Sequence, residues 1–136
     1  MHLTTETHVA READALQSYL AEPANFDAVS KDMSLTPAGD DRWDLQAEVQ
    51  GMQTEGTLTR VENVPGRLVY LTEAQGLAVT LGFDIAEASG GSDLKVALDF
   101  EGRSIKGKML MTGLKMMEAK MQSGLERMVA KLAQRA

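Results

Sequence analysis

Two stretches of the chain alternate strictly between apolar and polar positions. In one, Leu77, Val79, Leu81, Phe83 and Ile85 are the apolar members; in the other they are Leu94, Val96, Leu98 and Phe100. A period of two sends successive side chains to opposite faces, so each stretch predicts a strand with one apolar and one polar face. Ser89-Gly90-Gly91-Ser92-Asp93 between them is hairpin chemistry. The span Arg42 to Gln50 repeats the pattern, with Trp43, Leu45, Ala47 and Val49 set against Asp44, Gln46 and Glu48. Thr54 to Val61 alternates more weakly through Thr57, Thr59 and Val61. Arg67 to Glu73 is rich in strand formers, and Asn63-Val64-Pro65-Gly66 before it is a turn. One-sided apolar strands of this kind build an antiparallel sheet with one packed face.

The period changes at both ends of this region. Leu3 to Val9 predicts a short edge strand. From Ala10 to Leu20 the apolar residues Ala13, Leu16 and Leu20 step by three and four, which is helical. Pro23 ends that helix, because the residue before a proline avoids the helical region. A second short helix is expected over Asn25 to Lys31, with Phe26 and Val29 on one side. After Gly102, Leu110, Leu114, Met117, Met121, Leu125, Met128 and Leu132 form one continuous stripe. A helix over Ser104 to Gln134 would be about 45 Å long. Gly107, Gly113 and Gly124 are its candidate bends, or points where the sheet comes close.

A sheet with one apolar face must cover it. The C-terminal helix is the only element long enough, so the pattern predicts an α+β fold: a curved antiparallel sheet wrapped around that helix, with two short helices after the first strand closing one end. The 136 residues make one ordinary domain, spanning 1–136. The chain has no cysteine, which excludes disulfides and thiolate metal sites. Its net charge of −6 argues against nucleic-acid binding, which depends on Lys and Arg neutralising phosphates. With no apolar run of membrane-spanning length and no signal-like N-terminus, a cytoplasmic location is expected.

The order of elements resembles the START-like superfamily, which includes the polyketide cyclase/dehydrase and birch-pollen-allergen types and is called the helix-grip fold. Ala13, Leu16, Tyr19 and Leu20, followed by Glu22-Pro23-Ala24-Asn25-Phe26, are similar to the family's first helix and the step into its second. The hairpin from Ala88 to Val96 is similar to its glycine-rich turn before the last strand. The segment Leu125 to Leu132 is similar to its final helix. The resemblance implies a cavity between sheet and helix for a lipid, quinone, polyketide or other apolar molecule.

On that reading the cavity wall would come from Trp43, Leu45, Tyr70, Leu81, Phe83, Leu98 and Phe100 of the strands. Met109, Leu114, Met117 and Met121 of the helix would complete it. Six of the nine methionines lie between Met109 and Met128, and methionine suits surfaces that adapt to varied apolar shapes. If the site performs chemistry of the cyclase or dehydratase type, Tyr70 and Glu73 are the proton-transfer candidates; Glu73 would have to turn inward. No nucleophile motif is present, and His2 and His8 lack the further ligands that a zinc site needs. No cofactor is expected. The lysines opposite the apolar stripe allow peripheral membrane contact, and the chain is expected as a monomer or homodimer.

Overall fold

The computed structural model describes residues 1–27, 33–49 and 51–136. Seven strands form one sheet: β1 (His2–Val9), β2 (Met33–Gly39), β3 (Arg42–Val49), β4 (Met52–Val64), β5 (Arg67–Ala74), β6 (Leu77–Ala88) and β7 (Gly91–Gly102). Their order is β1-β7-β6-β5-β4-β3-β2, and every pairing is antiparallel. Between β1 and β2 stand the short helices α1 (Ala13–Leu20) and α2 (Ala24–Asp27). After β7 come α3 (Ile105–Lys115) and α4 (Glu118–Arg135). The α+β helix-grip architecture predicted from the pattern is the one observed.

Residues paired across neighbouring strands share a face, and this fixes which side chains meet. Leu68, Phe83 and Val96 form one row across β5, β6 and β7; Tyr70, Leu81, Leu98 and Leu3 form the next. These rows lie on the inner face, and α1, α2 and α4 pack against it. Leu16 and Leu20 of α1, Phe26 of α2, and Leu125, Val129 and Leu132 of α4 join the strand residues in one core cluster. The inner-facing helix stripe thus runs through Val129, which is 2% exposed, rather than through Met128, which is 40% exposed.

Three expectations need correction. The predicted single helix over Ser104 to Gln134 is two helices. The Met117 amide bonds to the Leu114 carbonyl, a tighter closure than an α-helical turn. The two halves pack in different places, α3 on β7 and β6 and α4 on β1, and one straight helix could not serve both. Second, β2 exists, although its sequence Met-Ser-Leu-Thr-Pro-Ala-Gly carries two breakers; proline is tolerated because β2 is an edge strand. Third, in β4 Leu58 and Arg60 take the inner face rather than Thr57 and Thr59, and Val61 is the extra residue of a bulge between Arg60 and Glu62. The described part of α2 makes one turn, and the remainder of the helix expected to Lys31, with Val29, lies outside the described residues, as does Gln50.

Side-chain hydrogen bonds lock the connections. The Gln17 amide of α1 donates to Asn63 Oδ1 and to the Val64 carbonyl and accepts from the Gly66 amide, stapling α1 to the β4–β5 turn. Ser92, fully buried, donates to the Arg11 carbonyl and ties the β6–β7 hairpin to the start of α1. Gln122 donates to the Thr4 carbonyl at 2.8 Å and holds α4 over β1.

Candidate functional site

Burial along the inner face is graded. At the end covered by α1 and α2, the rows containing Leu68, Phe83, Val96, Ile85 and Leu94 are fully packed. At the other end, Leu77, Val79, Leu81, Leu98 and Phe100 remain only half-buried, with Trp43 and Leu35 opposite them across the sheet. The same gradient runs along α4: Leu125, Val129 and Leu132 are buried, while Met121, one turn earlier, and Met117 at its start are half-buried. Large apolar side chains on a concave face are the first to be covered when a core closes. Left half-open together, they form an apolar stretch of the inner face, a shallow trough bordered by packed residues that include Leu58 and Leu45.

Four of the six aromatic residues pack against one another. Phe26 meets Tyr70 edge-on with ring centroids 5.7 Å apart and stacks on Phe83 at 6.1 Å. Tyr70 also meets Trp43 and Phe83 edge-on, at 6.4 and 6.3 Å. Such contacts add to the burial of the rings themselves. Tyr70 is 0% exposed, and its hydroxyl donates to the Leu20 carbonyl at 2.7 Å. Burial pushes the phenol up to about 12, against a smaller opposing pull from Arg60.

Arg60 was not anticipated from the sequence. It pairs in register with Tyr70 and so faces inward. Its guanidinium lies 5.4 Å from the centre of the Trp43 ring and donates to Asp41 Oδ1 through Nε and a terminal nitrogen, at 3.0 and 2.7 Å, while its other terminal nitrogen donates to the Ala21 carbonyl. Burial works against the charge, but the Asp41 carboxylate and the Tyr70 oxygen outweigh it, and the group is held still more firmly protonated than usual. Arg60 takes this face by ordinary alternation from Leu58, and the bulge after it turns Glu62 to the outer face.

The eleven expected wall residues divide accordingly. Trp43, Leu81, Leu98, Phe100 and Met121 pack at the margin of the core, and Leu114 and Met117 are half-buried with them. Leu45, Tyr70 and Phe83 are committed to the packed core rather than to an open surface. Met109 is a correction: it is 71% exposed, because Gly107 and Met111, not Met109, are on the packed side of α3. Glu73 is a second correction. It shares the outer face with Leu71 and ion-pairs with Arg103 at 3.3 Å in solvent. Tyr70 points inward but spends its proton on Leu20, so neither proton-transfer candidate offers a free group to the trough. His2 and His8 form cross-strand pairs with Asp99 and Asp93 on the outer face.

Two clefts lie elsewhere. One, of about 340 Å³, runs between α1 and the β4–β5 turn past Asp14, Ser18 and Pro65; the other, of about 250 Å³, lies beside Gly66, Asp84 and Lys95. Both are open to solvent, and charged residues edge the second. Among the described residues, no helix is long and apolar enough to cross a membrane.

No protein-family model and no curated protein matches the chain. Solved structures do match it over nearly its whole length. Protein TTHA0849 from Thermus thermophilus aligns with a TM-score of 0.73 at 13% identity, covering 99% of this chain and 96% of its own. Protein CV1439 from Chromobacterium violaceum aligns at 0.70 and 13% identity, covering 100% and 97%. A START superfamily protein from Mycobacterium smegmatis aligns at 0.62 and 13% identity, covering 93% and 97%. With the strand order, the graded inner face and the paired C-terminal helices already described, these likenesses establish that the chain has the START-like, helix-grip fold.

Proposed function

We propose that this protein binds and carries a hydrophobic small molecule in the trough between the sheet and the C-terminal helices. The observation that carries the reading is the graded inner face: apolar side chains on a concave surface, packed at one end and half-open at the other. A ligand that covers Leu81, Leu98, Phe100 and Met121 removes their remaining apolar surface from water, worth about 25 cal/mol per Å². Arg60 stands beside the Tyr70 row with its charge matched by Asp41, so the surface offered to a ligand is chiefly apolar. The START-like fold supports a ligand-binding role in general terms, although fold alone does not name the ligand. The geometry favours binding over cyclase or dehydratase chemistry, since Glu73 faces solvent and the Tyr70 hydroxyl is already engaged.

The test uses anilinonaphthalene sulfonate, an apolar fluorophore with an anionic end. It should bind at one site with blue-shifted emission. Leu98→Asn, which places an amide on the trough wall, should weaken binding by about tenfold or more, from the ~1–3 kcal/mol cost of leaving a polar group unpaired. Gln46→Asn, on the exposed outer face of β3, should leave it unchanged. Equal binding by all three proteins would place the probe elsewhere and remove the proposal.

A further inference from the structure

α3 is apolar on the side that packs and apolar again on the side that does not. Gly107 and Met111 mark its packed face. At about 100° per residue, Ile105, Met109 and Met116 fall on the opposite pole, where they are 82%, 71% and 87% exposed. Lys106 borders this pole on one side, and Lys108 and Lys115 border it on the other. No acidic residue occurs between Arg103 and Met117.

The lysines are also available. Every ion pair among the described residues is made by an arginine or a histidine, and none by a lysine. Lys106 is held only by the neutral Gln75 side chain. Charge is segregated along the whole chain as well. Residues 105–136 hold seven Lys and Arg against two Glu, a net of +5 in a chain of net −6, so residues 1–104 carry −11.

We infer that the outward face of α3 docks on an anionic lipid surface, with Ile105, Met109 and Met116 entering the interface and the flanking lysines reaching the phosphates. An interfacial helix has this composition, an apolar pole for the acyl boundary and long cationic side chains at its margins. A symmetric contact with a second copy fits less well, because a two-fold axis through α3 would bring the lysines of one copy close to those of the other. The inference does not rest on the trough holding a ligand, and the two can fail separately.

Flotation with phosphatidylcholine vesicles, with and without phosphatidylglycerol, tests it. The protein should float with the anionic vesicles at low salt, stay behind with the neutral ones, and be released as salt is raised. Lys108→Gln with Lys115→Gln should weaken binding by about fivefold per lysine, and the arginine substitutions at both positions should restore it. Ile105→Ser with Met109→Ser should abolish flotation without lowering the thermal midpoint, since both side chains are exposed. Failure of the wild-type protein to float at low salt would overturn the inference. So would unchanged binding of the serine variant, or a solution dimer that the serine variant splits.

Discussion

Tyr70 shows how one side chain can look functional and be structural. Its hydroxyl donates to the buried Leu20 carbonyl at 2.7 Å, its oxygen is a hydrogen-bond partner of Arg60, and its ring touches three other aromatics. Tyr70→Phe should therefore destabilise the fold by about 1–2 kcal/mol, as the carbonyl loses its donor, and leave fluorophore binding intact; urea denaturation and the fluorescence titration check the two halves. The same residue sets an alkaline limit. Its folded pKa of about 12 lies above the ordinary 10.0. Between those values the unfolded chain gives up the proton first, so this contribution is complete below pH 10 and lost as pH rises toward 12. Denaturation midpoints measured across that interval should fall for the wild-type protein and stay flatter for Tyr70→Phe. The inward side of Tyr70 was undecided in the sequence because Leu68–Tyr70 and Val69–Leu71 are equally apolar; only the register with Leu81 settles it. Arg60 was invisible for a different reason: an arginine in a strand ordinarily faces solvent, and the alternation through Thr57, Thr59 and Val61 pointed to the opposite face from Leu58 and Arg60.

At the scale of elements, periodicity revealed the strands and helices, whereas packing decided where they end. β6 and β7 follow their apolar alternation closely because both strands turn one face toward the core along their length. β2 was hidden by Pro37 and Gly39, which an edge strand accommodates. The helix break at Met116 and Met117 has no glycine or proline to announce it and follows instead from the different strands that the two halves cover. Of the three glycines considered as bends or close approaches, Gly107 is the close approach: a Cβ there would lie 2.0 Å from the Gly76 carbonyl oxygen. Gly76, at a φ of 75°, is itself required by the β5–β6 turn and cannot easily yield. Gly113 has open space around it. Gly107→Ala should thus cost about 1–3 kcal/mol through forced backbone movement, while Gly113→Ala should stabilise by up to about 1 kcal/mol through helix propensity. Thermal unfolding of the two variants should shift in opposite directions; a shift of the same sign would contradict the placement of α3 against the β5–β6 turn.

For the molecule as a whole, the helix-grip architecture was legible because a one-sided sheet and one long apolar stripe leave few ways to bury both. The site was legible only in part. Seven of the eleven expected wall residues stand half-buried, whereas Leu45, Tyr70 and Phe83 were drawn into the packed core and Met109 turned away from it. Alternation shows which face a residue takes, but not how deeply the helices cover that face. The central claim is that the half-open trough holds an apolar molecule. Native mass spectrometry of freshly purified protein, paired with an organic extract of the same sample, tests it most directly. The account predicts a bound mass that is lost on denaturation, recovered in the extract as an apolar compound, and absent from Leu98→Asn. A wild-type protein that stays at its bare mass when apolar compounds are supplied in excess would contradict it.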